Sequence, residues 1–227
     1  MALIRNAKGR RSEQSPSGYS RLFGDSELGN LLSRVQGTVI SAGNELEKLI
    51  IEHSKRIDDF DRFITNLDDR QPGIFVATKR QVKASKIIKT HFEPDLLAFD
   101  LQMRVCYVIE VKDGDTFDTK KSEGERTTLH NFVTEVSPIL PFSFRVRVCS
   151  FNARERKEIY DGLKHRFPID ELLTGQELCE LLGINYEEII VARSCDHAEN
   201  LTYFVDELLK IPGVQAEIRE KIKTREA

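Results

Sequence analysis

The chain has 227 residues, 40% of them hydrophobic and 31% charged, with a net charge of -3. That length suits one compact domain with a substantial core, and the composition excludes global disorder. Its apolar runs fall short of the ~20 residues of a membrane span and its first residues lack the apolar stretch of a secretory signal, so a cytoplasmic protein is expected.

The charge is unevenly distributed. From Asp170 onward there are 13 acidic and 6 basic residues, against 24 acidic and 28 basic before it. A polyanion is therefore expected to meet the N-terminal two thirds. Cys106, Cys149, Cys179 and Cys195 form no C-x-x-C pair, which fits free thiols in a reducing compartment.

Residues 1–21 carry Arg5, Lys8, Arg10, Arg11 and Arg21 against Glu13 alone, among Ser and Gly. They read as a mobile basic arm, either gripping phosphate or solubilising the chain. Leu46, Leu49, Ile50 and His53 follow helical spacing between Ser41 and His53. Glu47 lies at the inner margin of that helix, on a stripe with Gly43, Ile50 and Ile51, where a carboxylate needs a partner. Glu45, Lys48 and Glu52 point elsewhere.

Lys79, Arg80, Lys83, Lys86 and Lys89 fall within residues 78–91, which contain no acidic residue. Helix and strand both remain open there. These side chains, with Lys120 and Lys121 at the end of the 113–121 loop, are candidates for contacts to a phosphate backbone, the alternative being a solvated basic face.

Two strand-like runs follow, 95–101 and 104–112, so close that a tight hairpin is the natural connection. With the turn centred on Gln102 and Met103, the numbers of opposed residues sum to 205. Asp95 then faces Glu110, Leu97 faces Val108 and Phe99 faces Cys106, while Lys112 projects on the same side as Glu110. Leu96, Ala98, Tyr107, Ile109 and Val111 form the other face. Because Gln-Met is a poor two-residue turn, a four-residue loop of the same symmetry is equally open. With both faces apolar, the hairpin belongs inside a sheet covered by helices on each side, and only its open end is charged.

Ser122 with Glu125 reads as a capping box before a helix bearing Leu129, Phe132, Val133 and Val136. Phe142, Phe144, Val146 and Val148 alternate with Ser143, Arg145, Arg147 and Cys149 as in a half-buried strand. A helix is expected from near Asn152, capped with Glu155 and ending before Pro168, and Thr174 with Glu177 caps another. The segment 174–191 resembles helix-turn-helix, but Glu187 and Glu188 at the start of its second helix favour packing or dimerisation over DNA reading. Cys179, Cys195 and His197 lack zinc-site spacing. The expected class is α/β, a central mixed sheet flanked by helices with a mainly helical C-terminal third.

Cleavage of a phosphodiester requires a held phosphoryl oxygen, an activated water and neutralisation of developing charge, all of which magnesium can serve. Asp95 and Glu110 supply two carboxylates, Val111 a backbone carbonyl, and Lys112 a cation to orient or help deprotonate the water. The competing reading is a cross-strand ion cluster, disfavoured because facing carboxylates repel without a cation or shared proton between them.

The pattern Pro94-Asp95, fourteen residues, Glu110-Val111-Lys112 resembles the signature of the PD-(D/E)xK nuclease superfamily, to which many type II restriction endonucleases belong. The resemblance implies that Asp95, Glu110 and Lys112 form the catalytic triad and that Glu47 is the acidic residue many members carry on the preceding helix. It implies a restriction endonuclease-like core at about 37–166 inside a nuclease domain of 22–227, with an acidic helical part at about 168–227. Magnesium-dependent cleavage of double-stranded DNA to 5′-phosphate and 3′-hydroxyl ends is the implied activity, and palindromic two-strand cutting implies a homodimer. A repair or junction-resolving nuclease of the same core, and a non-catalytic DNA-binding module, are the alternative functions.

Overall fold

The computed structural model describes residues 2–9, 17–67, 71–114 and 119–225, with residues 119–122 described by backbone alone. In chain order the elements are α1 (Gly18–Phe23), α2 (Ser26–His53), α3 (Phe60–Thr65), β1 (Ile74–Thr78), α4 (Lys79–Ala84), β2 (Leu96–Asp100), β3 (Val105–Lys112) and α5 (Thr119–Val136). Then follow β4 (Ser143–Ser150), α6 (Arg156–Gly162), β5 (Leu172–Thr174), α7 (Gly175–Leu182), α8 (Tyr186–Ser194), α9 (His197–Lys210) and α10 (Pro212–Arg225). Two compact units result, one up to Glu45 and from Ile190 onward, the other Leu46–Ile189. The divisions fall inside α2 and α8.

The first unit is helical. Of the segment read as a basic arm, Ala2, Leu3 and Ile4 are buried, and the Ile4 N–H donates to Asn200 Oδ1 at 2.9 Å. Arg34 donates to the carbonyls of Ile4, Arg5 and Ala7 at 3.0–3.1 Å and lies 5.1 Å over the Tyr203 ring. Residues 17–23 cap and form α1; residues 10–16, with Arg10, Arg11 and Glu13, lie outside the described residues.

The second unit is built on a five-stranded mixed sheet in the order β1-β2-β3-β4-β5. β1, β2 and β3 are antiparallel, whereas β4 and β5 run parallel to β3. Leu97 pairs with Val108 and Phe99 with Cys106, the expected register. A four-residue loop, Leu101–Arg104, joins the strands. Asp100 Oδ1 accepts the N–H groups of Gln102 and Met103 at 2.9 Å each, and Arg104 takes a positive φ of 52°. An Asx-type bond thus replaces the glycine that a two-residue turn would need.

One face of the sheet, with Leu97, Phe99, Cys106, Val108, Val146 and Val148, joins a core with Phe60 and Phe63 of α3, Leu129, Phe132 and Val136 of α5, and Ile159 of α6. Phe99 sits among rings, 5.4 Å from Phe63 and 5.2 Å from Phe142 between centroids. Each fully buried phenylalanine stabilises the fold by about 1.5–3 kcal/mol through transfer from water. Leu96, Ala98, Ile109, Val111 and Cys149 are buried on the opposite face, and α7 packs against β4 there.

Several expected caps resolve differently. Thr174 and Glu177 do form a reciprocal capping box on α7, which ends at Gly183 in the left-handed region (φ 69°). Ser122, in contrast, lies inside α5, which already starts at Thr119, so the expected box there does not exist. Nor does Asn152 cap α6: its amide reaches Asp113 Oδ1 at 2.9 Å, and the helix begins only at Arg156. Residues 78–91 are strand end, helix and loop in succession. Thr78 and Gln81 cap α4 reciprocally, and Gln81 Nε2 also donates to the Ile57 carbonyl.

Candidate active site

The open end of the β2–β3 hairpin collects charge because Asp95, Glu110 and Lys112 share the parity of Leu97, Phe99, Cys106 and Val108, and so the face covered by α3 and α5. One further step of the observed register brings Asp95 opposite Glu110. Asp95 lies just before β2, where its carbonyl accepts the N–H of Lys79, the first residue of α4, at 3.2 Å. Its side-chain Oδ2 crosses to β3 and accepts the Val111 N–H at 2.9 Å.

That bond also orients the Val111 carbonyl. Along a strand the N–H and C=O of one residue point to one side and those of the next to the other. Lys112 directs its carbonyl to β4, where it accepts the Phe151 N–H at 2.8 Å. The Val111 peptide groups therefore turn the other way, toward Asp95, at a level beyond the start of β2.

Lys112 Nζ donates to Glu110 Oε1 and lies 2.9 Å from Oε1 of Glu125 on α5. All three side chains are largely covered: Glu110 is 14% exposed, Lys112 25% and Glu125 26%. Burial and the Asp95 charge push the Glu110 carboxyl up to about 7, with Lys112 opposing and Glu125 adding to the shift. For Lys112, burial works against the ammonium, but contact with Glu110 and Glu125 prevails and holds it above its ordinary value. Glu47, on the last turns of α2, is raised by burial first and then by Asp95, with Lys79 and Lys112 lowering it. The four predicted residues Asp95, Glu110, Lys112 and Glu47 are thus in one electrostatic neighbourhood.

Among the described residues no three His, Cys, Asp or Glu side chains converge as an all-side-chain metal cage. Two carboxylates and a carbonyl instead suit a hard cation that retains several waters, as magnesium does. A raised Glu110 beside a second carboxylate is the electrostatic mark of a place where a cation would relieve repulsion. The residues present fit the metal.

One relative, the type II restriction enzyme HhaII of Haemophilus parahaemolyticus, is 45% identical over 227 residues, covering 97% of this chain and 99% of its own length. The chain belongs to the type II restriction enzymes. It is accordingly a site-specific deoxyribonuclease. No protein-family model matches it, and no solved structure matches it.

In this restriction enzyme the five basic side chains of 79–89 are all exposed, but the segment is not uncompensated. Glu93, just past the basic run, lies 2.8 Å from Lys83 Nζ and 3.7 Å from Lys79 Nζ. Asp61 accepts from Ser85 Oγ and from the Lys86 N–H, the latter at 2.8 Å, and Lys89 Nζ turns back to the Ser85 carbonyl at 3.1 Å. The side chains of Lys120 and Lys121 lie outside the described residues. His91 is exposed and takes no part, while His130 Nε2 lies 3.7 Å from Glu171. Cys179 is buried and Cys195 exposed, with no zinc cluster among the described residues. No helix of the described residues is long and apolar enough to cross a membrane.

Sequence reading missed Glu125 and Glu93. A signal for the first existed: Glu125 stands four residues before Leu129, so it continues the buried stripe Leu129, Phe132, Val136 by one turn toward the site.

Proposed function

We propose that this type II restriction enzyme is a PD-(D/E)xK nuclease that hydrolyses double-stranded DNA with magnesium at Asp95, Glu110 and Lys112, leaving 5′-phosphate and 3′-hydroxyl ends. The observation that carries the reading is the convergence of Asp95, Val111 and Glu110 at the mouth of the hairpin, with Lys112 alongside. Asp95, Glu110 and the Val111 carbonyl are the groups to hold the cation, which when bound supplies a charge to neutralise the phosphate and lower the pKa of water.

The chain's own residues divide the remaining work. Asp95 spends one oxygen on the Val111 N–H, which fixes the carboxylate across the two strands and leaves Oδ1 for another partner. Glu110 presents its carboxylate beside Lys112, whose ammonium orients the attacking water and offsets charge on the phosphoryl oxygens. Glu47 adds a partly buried carboxylate whose charge is felt next to Asp95. Lys79, Arg80, Lys83, Lys86 and Lys89 form the basic approach to the site, with Lys120 and Lys121 as further candidates, and would meet phosphates without reading sequence. Cutting both strands of a palindrome calls for two such sites, hence a homodimer.

Digestion of phage DNA with magnesium, followed by sequencing of the ends, tests this reading. A fixed set of fragments with 5′-phosphates supports it; random cuts would favour a repair or junction-resolving nuclease of the same core, and 3′-phosphate ends would contradict the chemistry. Calorimetric titration with magnesium addresses the ion-cluster alternative: heat of binding that disappears in Asp95→Asn supports the metal site, and no binding to either protein counts against it.

A further inference from the structure

We propose that Glu125 is a positioning residue for Lys112, a carboxylate that α5 supplies to hold the ammonium while Glu110 is engaged with a cation. The inference rests on the reading of Asp95, Glu110 and Lys112 as the cleavage centre and adds a residue whose sequence context suggested only a helix cap.

An ammonium on a four-carbon stem has three donors and many rotamers, so a working geometry needs more than one anchor. Here two partners from separate elements take two of the donors: Glu110 from the lysine's own strand and Glu125, 2.9 Å away, from the opposing helix. The third donor remains for the phosphate or the attacking water. Glu110 cannot be the permanent anchor, because any cation it binds draws on the same negative charge that holds Lys112. Glu125 reaches Lys112 from α5 rather than from the hairpin, and among the described residues no third carboxylate clusters with Asp95 and Glu110.

The placement of Glu125 is structural rather than incidental. Leu129, Phe132 and Val136, which follow it along one face of α5, are at most 1% exposed and packed against the sheet. A helix locked by that stripe fixes where its next turn lies, and with it the carboxylate. An acidic residue on a half-buried stripe is unfavourable unless it is paired, and the partner it finds is Lys112.

The test combines Glu125→Ala, Glu125→Gln and Lys112→Ala with the double variant, read by single-turnover cleavage in magnesium, DNA affinity in calcium, calcium affinity by calorimetry, and melting temperature. Glu125→Ala is expected to slow cleavage by about 10–100-fold, the scale of a lost supporting contact. DNA and calcium affinities should stay within about two-fold. Glu125→Gln, whose amide oxygen still accepts from Lys112, should recover most of the rate and keeps the test valid if the alanine variant is unstable. In the Lys112→Ala background, Glu125→Ala should add almost nothing. Wild-type cleavage by Glu125→Ala alongside an inactive Lys112→Ala would overturn this inference alone, and so would loss of calcium binding in Glu125→Ala and Glu125→Gln, which would make Glu125 a ligand. Wild-type cleavage by Lys112→Ala would instead overturn the cleavage centre itself.

Discussion

Asp95 Oδ2 accepts the backbone N–H of Val111 at 2.9 Å, a side-chain bond that replaces the ladder bond β2 would have made through the Pro94 carbonyl had it begun two residues earlier. It ties the acidic residue before one strand to the peptide that follows Glu110 on the other. Asn can accept that bond as well as Asp, but it brings no charge. Asp95→Asn is therefore expected to melt within about 2 °C of wild type, a shift of about 1 kcal/mol or less. It should nonetheless lose magnesium binding and cleave about 10²–10³-fold more slowly or worse, as when a partner for transition-state charge is removed. Parallel calorimetry and cleavage assays check this, and retained magnesium binding would speak against the ligand role.

Glu110 gives the metal-free protein a pH dependence of definite sign. Its carboxyl is raised from the ordinary 4.5 to about 7, mainly by burial and by Asp95. A raised carboxyl favours the neutral form in the fold, so its stabilising effect is full below about pH 4.5 and is lost as pH rises through about 7. Without divalent cations the protein should lose stability between pH 5 and pH 8 by up to a few kcal/mol. Glu110→Gln should remove that slope, and magnesium should restore stability to wild type at pH 8. Melting temperatures against pH are the measurement; an unchanged slope in Glu110→Gln would refute the assignment.

Lys79 and Lys83 are held by Glu93 in the free protein and must leave it to meet phosphates. Glu93→Gln should then tighten DNA binding several-fold at low salt. Lys79→Ala and Lys83→Ala should weaken binding to all sequences alike, each reducing the slope of affinity against salt by about 1. Anisotropy titrations over a range of salt, with calcium in place of magnesium, read both effects; salt slopes equal to wild type would remove these lysines from the interface.

Phe132 joins α5 to the sheet and is fully buried. Phe132→Ala should cost about 3–5 kcal/mol in urea unfolding, since the cavity adds to the lost transfer energy. A loss below 1 kcal/mol would mean that α5 is not fixed by its apolar stripe, and the placement of Glu125 would lose its basis.

What could be read in the sequence was what local pattern and parity govern. The hairpin register follows from the two-residue period of strands whose faces are both apolar, and Asp95, Glu110 and Lys112 fall together by the same parity. Thr174 and Glu177 form the expected box because their helix starts where its apolar spacing starts. Ser122 fails as a cap because α5 begins a turn earlier than the first buried residue among its described side chains, Leu129, could reveal. Local spacing gives Glu125 a partner on its own helix, whereas its actual one, Lys112, is thirteen residues away on a strand. Glu93 and Asp61 were missed for the same reason: a run of positive charge says nothing about which carboxylate the fold will bring to it. The pairing of β3 with β4 in parallel, and the two-unit division inside α2 and α8, depend on long-range packing that no window of sequence contains.

The most direct test of the cleavage centre compares wild type with Glu110→Ala on plasmid DNA in magnesium, with binding of the same DNA measured in calcium. Wild type is expected to give discrete fragments, and Glu110→Ala to give none while still binding DNA. Cleavage by Glu110→Ala at the wild-type rate would place the active site elsewhere in the chain.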